Sequence, residues 1–307
     1  MKEFDLVVIG AGSGLNVATR AAEFGMKVAV IEEGAMGGTC LNRGCIPSKV
    51  ILHSADVAET IDGARRFGIA PKGYKVDFLK VTSRASAAVD KEAREIEEGI
   101  KDTENLTLFK ARARFIGERT IIAGDEAIKG RKIVIAAGTR PAVPVIEGIN
   151  KIKYITSDEA LRLKKQPKSI IILGGGFIAA EMAHFFGALG TKVIIVQRSM
   201  MLRNEDREIA DAYVKAAGKK YSIMLGYEPL RVSQKGGKIT LVAKGKAGTK
   251  AVTADSLLVA TGRVANSDLL GAAKAGVETD ARGYIKTNDY LETTAKNVWA
   301  FGDIAGK

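Results

Sequence analysis

A pattern of strand, glycine-rich turn, helix and strand occurs twice in this chain, and it restricts the fold more tightly than any other feature of the sequence. The first copy runs from the apolar stretch Phe4 to Ile9 through Gly10-Ala11-Gly12-Ser13-Gly14, a helix to about Phe24, and a strand from Val28 to Ile31. The second runs from Ser169 to Leu173 through Gly174-Gly175-Gly176-Phe177-Ile178-Ala179, a helix to about Leu189, and a strand from Lys192 to Val196. Such units form parallel βαβ layers, so the expected class is α/β with two Rossmann-like dinucleotide-binding domains. The glycines let backbone N–H groups and a helix N-terminus approach a pyrophosphate, and an acid closing the second strand, here Glu32, accepts from ribose hydroxyls. Leu15 stands where the first fingerprint has its third glycine, although Gly14 is beside it.

Aligning Phe24-Gly25-Met26-Lys27-Val28 with Leu189-Gly190-Thr191-Lys192-Val193 sets Glu32 opposite Gln197. The carboxylate that greets a free ribose 2′-hydroxyl is therefore missing from the second copy, where Arg198 and Arg203 follow instead. Arginine near this position accommodates a 2′-phosphate, which favours NADP over NAD. Ala179, in place of the third glycine, also resembles the NADP-binding form of the fold.

Between the two copies lies Gly37-Gly38-Thr39-Cys40-Leu41-Asn42-Arg43-Gly44-Cys45-Ile46-Pro47-Ser48-Lys49, which contains both cysteines of the 307-residue chain. Pro47 suits the first turn of a helix continued by Val50, Ile51, Ala55, Ala58 and Ile61, so Cys45 is expected at a helix N-terminus. Partial positive charge at such a terminus favours a thiolate, and Lys49 adds a cation one turn on. Two packed thiols or a structural staple are the alternatives, and the surrounding glycines and Lys49 argue for redox use. Two cysteines and two distant histidines, His53 and His184, do not supply a zinc site, and no metal is expected.

The cysteine stretch resembles the redox-active disulfide motif of the large dimeric pyridine nucleotide-disulfide oxidoreductases, among them dihydrolipoamide dehydrogenase, glutathione reductase and mercuric reductase. The resemblance implies that Cys45 lies next to a flavin, that Cys40 is the interchange thiol, and that Lys49 sits near flavin N5. Other stretches agree with it. Ala137-Gly138-Thr139-Arg140-Pro141 resembles the connecting motif between the two nucleotide domains, and Ala260-Thr261-Gly262-Arg263 echoes it. Asn297-Val298-Trp299-Ala300-Phe301-Gly302-Asp303-Ile304-Ala305-Gly306 resembles the second flavin motif, in which the residue matching Asp303 holds the ribityl chain. By the same resemblance Glu181 pairs with Lys49, and Phe177 covers the flavin face where nicotinamide docks.

The implied assignment is an FAD domain over 1–147 and 266–307, interrupted by an NAD(P) domain over 148–265. FAD is expected against Gly10, Gly12, Ser13, Gly14, Glu32, Glu33, Gly38, Thr39, Lys49, Ala137, Gly138, Thr139, Gly302 and Asp303. NAD(P) is expected against Gly174, Gly176, Phe177, Ile178, Glu181, Gln197, Arg198, Arg203 and Gly262. Cys40, Cys45, Lys49 and Glu181 are the expected catalytic group. The implied activity is an FAD-dependent disulfide oxidoreductase that passes electrons between NAD(P)H, the Cys40–Cys45 disulfide and a dithiol or disulfide substrate, with a role in cell redox homeostasis. Its Cys-Ile-Pro-Ser-Lys form is most like dihydrolipoamide dehydrogenase. The alternative is a catalytically incomplete nucleotide-binding module. The family's C-terminal interface domain, which forms a homodimer and supplies a His-Glu pair, has no counterpart before Lys307.

The intervening sequence predicts helices over 46–66 and 77–100, strands at 106–115, 120–123 and 132–136, and another strand over 252–262. His53 and His184 are expected to be structural; His53 falls about 12 Å along the helix from Cys45, too far for direct proton exchange. The formal charge of +12 arises from lysines and arginines scattered among acidic neighbours, more often a solvated surface than a nucleic-acid footprint, so no nucleic-acid partner is expected. No signal peptide precedes the first strand, and the longest apolar run is too short to span a bilayer, so a cytoplasmic protein without membrane association is expected.

Overall fold

A computed structural model describes residues 1–306, which separate into two compact units. The first comprises 1–45, 88–140 and the chain from Arg263 onward, and the second comprises 46–87 and 141–262.

In the first unit, β1 (Lys2–Ile9) leads through the glycine turn into α1 (Gly14–Glu23) and then β2 (Val28–Ile31). Ala18, Ala21 and Ala22 of α1 are buried with Leu6, Val8, Val28 and Val30, small side chains on the helix allowing it to lie close on the sheet. Three helices follow, α2 (Gly38–Arg43), α3 (Cys45–Gly63) and α4 (Phe78–Lys101). The chain then returns as β3 (Leu106–Phe109), β4 (Ala113–Gly117), β5 (Thr120–Ala123) and β6 (Glu126–Ile135). The sheet order is β3-β2-β1-β6-β5-β4, with the strand pairs from β3 to β6 parallel and the β6-β5-β4 pairs antiparallel. The single strand expected over 106–115 is thus two strands. Its halves pair at opposite edges of the same sheet, β3 with β2 and β4 with β5, so the chain must turn between Phe109 and Ala113. After β6 come the short β7 (Thr139–Pro141) and, beyond the second unit, its partner β15 (Arg263–Ala265), then α8 (Ser267–Leu270) and β16 (Val298–Ala300), which pairs in parallel with β6.

The second unit repeats this plan. A one-turn helix α5 (Ser157–Ala160), closed by a Thr156–Glu159 capping box, precedes β8 (Ser169–Leu173), α6 (Phe177–Ala188), β9 (Lys192–Gln197), α7 (Arg207–Ala217) and β10 (Ser222–Leu225). An antiparallel sheet of β11 (Glu228–Lys235), β12 (Lys238–Gly245) and β13 (Gly248–Ala254) is inserted before β14 (Ser256–Val259). The parallel order β10-β9-β8-β14 matches β3-β2-β1-β6 of the first unit. The strand expected over 252–262 breaks at Asp255, where pairing changes from antiparallel β12 to parallel β8. Asp255 fixes the break by accepting from Ser169 Oγ at 2.6 Å and Lys238 Nζ at 2.7 Å.

Residues 46–87, expected with the first fold, pack within the second unit. The reason is the composition of α6, which is apolar on most of its circumference and needs cover on both sides. Ala179, Met182, Ala183, Phe185 and Phe186 are buried between Ile170, Ile172, Val193 and Ile195 of the sheet and Ile51, Ala58, Phe78 and Ala85 of α3 and α4. The rings of Phe185 and Phe186 lie 4.9 Å apart and that of Phe78 lies 5.6 Å from Phe185. No helix among the described residues is long and apolar enough to cross a membrane. Phe185→Ala is expected to cost about 3–5 kcal/mol through lost burial and the cavity it leaves, read as a lowered denaturant midpoint.

Candidate functional site

In the first unit, the ligand-facing end of the sheet is set by backbone geometry. Gly10 has a φ of +102°, and a Cβ there would collide with the Ala136 carbonyl, so β1 and β6 end in direct contact only because residue 10 is glycine. Beside this point opens a cleft lined by Gly10, Glu32, Glu33, Arg112, Asn266 and Leu269 among others. Glu32 accepts from Ala11 N–H at 2.9 Å and Gly34 N–H at 2.7 Å, which fixes its carboxylate and leaves each oxygen a further lone pair. Glu33 pairs with Arg112 Nε at 2.7 Å at the cleft. Arg112, Asn266 and Leu269 were not legible as site residues, because the turn after β3 and the segment after β15 meet here only through the tertiary fold.

The cysteine stretch is anchored to the same glycine turn. Gly37 N–H donates to Ala11 O at 2.8 Å, and a Cβ on Gly38, whose φ is +66°, would come within 2.6 Å of Gly12 Cα. Asn42 Nδ2 donates to the carbonyls of Met36 at 2.7 Å and Gly38 at 2.9 Å, closing the loop onto α2. Thr39 and Cys40 lie on this short helix, which the sequence did not predict, and Leu41 packs with Val89 and Ala93 of α4. Cys45 is the first residue of α3, as its spacing from Pro47 predicts, and both cysteines are exposed.

Two later segments converge on this end. Thr139 Oγ1 donates to Asp303 Oδ2 at 3.1 Å and accepts from Arg263 Nε at 2.7 Å, while Asn266 Nδ2 donates to Ala137 O at 2.7 Å. Gly302 lies beside Ser13, whose Oγ would be 3.4 Å from a Cβ on residue 302. Gly138, with a φ of +64°, lets the chain turn between Ala137 and Thr139. Arg140 makes a two-pronged pair with Asp268, at 2.9 and 2.7 Å, and its guanidinium holds the Asp268 carboxyl below the usual carboxylate range.

In the second unit Gly174 repeats the role of Gly10, with a φ of +124° and the Ala260 carbonyl where its Cβ would be. Gly176 caps α6 without a side-chain bond, so the amides of the first turn, from Phe177 and Ile178 onward, face the end of the sheet. Phe177 is 66% exposed. Gln197 is turned toward its own loop, donating to Met200 O at 3.0 Å and accepting from Arg198 N–H at 3.1 Å. Arg198 and Arg203 are exposed, and no ion pair to either is found among the described residues. Gly262, with a φ of +120°, ends the unit in open space. Glu181 meets Lys49, 132 residues away in sequence, at 2.5 Å. Among the described residues no three His, Cys, Asp or Glu side chains are grouped to hold a metal ion.

The family model for pyridine nucleotide-disulphide oxidoreductases matches residues 4–307. The chain belongs to this family. It is 33% identical over 305 residues to a mercuric reductase of Staphylococcus aureus, covering 98% of this chain and 56% of that protein. It is 36% identical over 312 residues to a mycothione reductase of Mycobacterium tuberculosis, covering 99% and 67%. The solved Cu(II) complex of the HOCl-induced flavoprotein disulfide reductase RclA from Escherichia coli superposes with a TM-score of 0.88 at 30% identity, over 100% of this chain and 67% of the other. The chain therefore spans between about half and two thirds of the length of these relatives.

Flavoproteins of this kind use FAD, and the residues present fit it. The turn beside the cleft needs glycine at positions 10 and 38 for its close backbone approach, and the cleft presents an oriented carboxylate at Glu32. Because the Asp268 carboxyl is lowered by Arg140, its contribution to stability is full above the ordinary aspartate range and is lost as pH falls through its folded value. Asp268→Asn is accordingly expected to lower stability at neutral pH by at most about 1 kcal/mol, the scale of an exposed pair. The difference from the parent should vanish in acid, as read from melting curves at stepped pH.

Proposed function

We propose that this chain carries the flavin and nicotinamide halves of an NADPH-dependent disulfide oxidoreductase, with Cys40 and Cys45 as its redox pair. The observation that carries the reading is the docking of the cysteine stretch on the first glycine turn, Gly38 against Gly12, with both cysteines exposed. The FAD domain is drawn from 1–147 and 266–307, of which 46–87 pack with the second unit, and 148–265 is the nicotinamide domain. Gly10, Gly12, Ser13, Gly14, Gly38 and Thr39 would hold the FAD pyrophosphate. Glu32 and Glu33 would hold its adenosine half, and Ala137, Gly138, Thr139, Gly302 and Asp303 its ribityl and ring portions. Bound there, FAD supplies two-electron exchange between a nicotinamide and a disulfide.

The remaining chemistry belongs to the side chains. Cys40, on the exposed face of α2, exchanges with the substrate disulfide, and Cys45 is its resolving partner. Lys49, paired with Glu181, would be the cation the family resemblance assigns to the flavin ring, and Phe177 would cover the nicotinamide position. Gly174, Gly176, Ile178 and Gly262 shape the NADP pyrophosphate site. Its 2′-phosphate is taken by Arg198 and Arg203, a reading supported by their exposure and by a Gln197 side chain directed into its own loop. The overall exchange balances: one NADPH and one proton reduce one disulfide to two thiols. The substrate class is a dithiol or disulfide, and the whole protein is a cytoplasmic homodimer serving redox homeostasis.

The test is anaerobic addition of NADPH or NADH to the FAD-loaded chain, with alkylation and mass analysis of Cys40 and Cys45. NADPH is expected to expose both thiols. Arg198→Ala with Arg203→Ala is expected to weaken NADPH use about ten-fold or more, the loss of a charge-assisted contact, with little change for NADH. Equal or better response to NADH overturns the NADP assignment. Flavin bleaching with the cysteines unresponsive instead supports a nucleotide-binding module whose cysteines are not coupled.

A further inference from the structure

The Lys49–Glu181 pair is one rung of a longer ladder between α3 and α6. Three positions on one face of α6, at spacings of three residues, are engaged in turn: Glu181, His184 and Gly187. Glu181 meets Lys49. His184 lies between two carboxylates of α3, its Nε2 2.7 Å from Asp56 Oδ1 and its Nδ1 3.5 Å from Glu59 Oε1. Gly187, beyond the α3 contacts, is covered by the Tyr221 ring from the segment before β10, which a Cβ at that position would strike. Glu59 also receives Lys220, and burial followed by the Glu59 charge raises the Tyr221 phenol above its ordinary value. Beneath the ladder the two helices share the core of Ile51 and Ala58 with Met182, Ala183 and Phe186.

We propose that His184 is a positioning residue: clamped by Asp56 and Glu59, it fixes α6 on α3 so that Glu181 holds the Lys49 ammonium in one place. The spacing supports this assignment. From Lys49 to Asp56 is about 10 Å along α3, whereas from Glu181 to His184 is about 4.5 Å along α6. The two rungs differ in axial spacing on the two helices, so the Lys49–Glu181 pairing depends on where α6 is seated. The Lys49–Glu181 rung has one exposed partner, Lys49 at 63%, and an exposed pair holds long side chains weakly unless the backbones are fixed. The His184 rung has a short rigid ring with both nitrogens facing carboxylates, and it supplies that fixing. This inference rests on the proposed function only for its consequence at the flavin; the seating of Lys49 is a property of the chain alone.

The test is competitive acylation of lysines in the flavin-free chain, read by mass analysis, with exposed Lys192 as the internal reference. Glu181→Leu sets the rate for an unpaired Lys49. His184→Leu is expected to raise Lys49 labelling toward that limit, by about five-fold, and His184→Gln, which can still donate to Asp56, to restore part of the protection. If His184→Leu does not fold, Asp56→Asn removes the same rung with the imidazole still packed and should give the same rise. Unchanged Lys49 labelling in folded variants overturns the proposal. In the FAD-loaded chain, His184→Leu should also slow flavin reduction by NADPH several-fold with unchanged FAD affinity. A chain that holds no flavin defeats the proposed function and leaves the labelling result to decide the role of His184.

Discussion

Both units depend on one backbone contact, made where a parallel strand ends in glycine against the strand beside it. Gly10 N–H donates to Ile31 O at 2.9 Å while Ala136 N–H donates to Ile9 O at 2.8 Å. Gly174 N–H donates to Val196 O at 3.0 Å while Ala260 N–H donates to Leu173 O at 2.8 Å. The last bonds of the parallel ladder thus reach past the strand ends into the turns. A Cβ at either glycine would meet the neighbouring carbonyl, so a larger residue would push the turn away from the sheet. This is the point where the strand order reverses, and a crevice forms outside the carboxyl ends of strands at such a point.

The two units use this shared frame differently. In the first, the turn is crowded by the cysteine stretch, and the acid after β2 is tied to the backbone amides of Ala11 and Gly34. In the second, the corresponding Gln197 serves its own loop and leaves two arginines outward. The antiparallel insertions differ as well. In the first unit β4 and β5 extend the main sheet, whereas in the second β11 to β13 form a sheet of their own and share a core with the parallel strands through Val232, Ile239 and Leu241.

The ion pairs contribute more to orientation than to stability. Lys49 with Glu181, Arg112 with Glu33, and Arg140 with Asp268 each have at least one partner well exposed, where such pairs are worth no more than about 1 kcal/mol. The folding free energy comes from the aliphatic strands and the phenylalanine cluster of α6. The pairs decide where a cation or carboxylate stands once that packing is complete.

The sequence by itself determined what depends on neighbours along the chain. Val28–Ile31, Thr120–Ala123 and Ser169–Leu173 are strands with the bounds their apolar runs imply, and the glycine turns follow from residues that tolerate positive φ. Cys45 opens a helix because Pro47 fits its first turn. Tertiary structure decided what depends on partners far away in the chain. It divided the apolar run over 106–115 between two sheet edges and drew residues 46–87 to the apolar circumference of α6. Arg112 and Asn266 joined the cleft, and His184 met Asp56, through the same packing. Local sequence sets backbone preferences residue by residue, whereas the meeting of side chains 100 or more positions apart follows from which surfaces must be buried together.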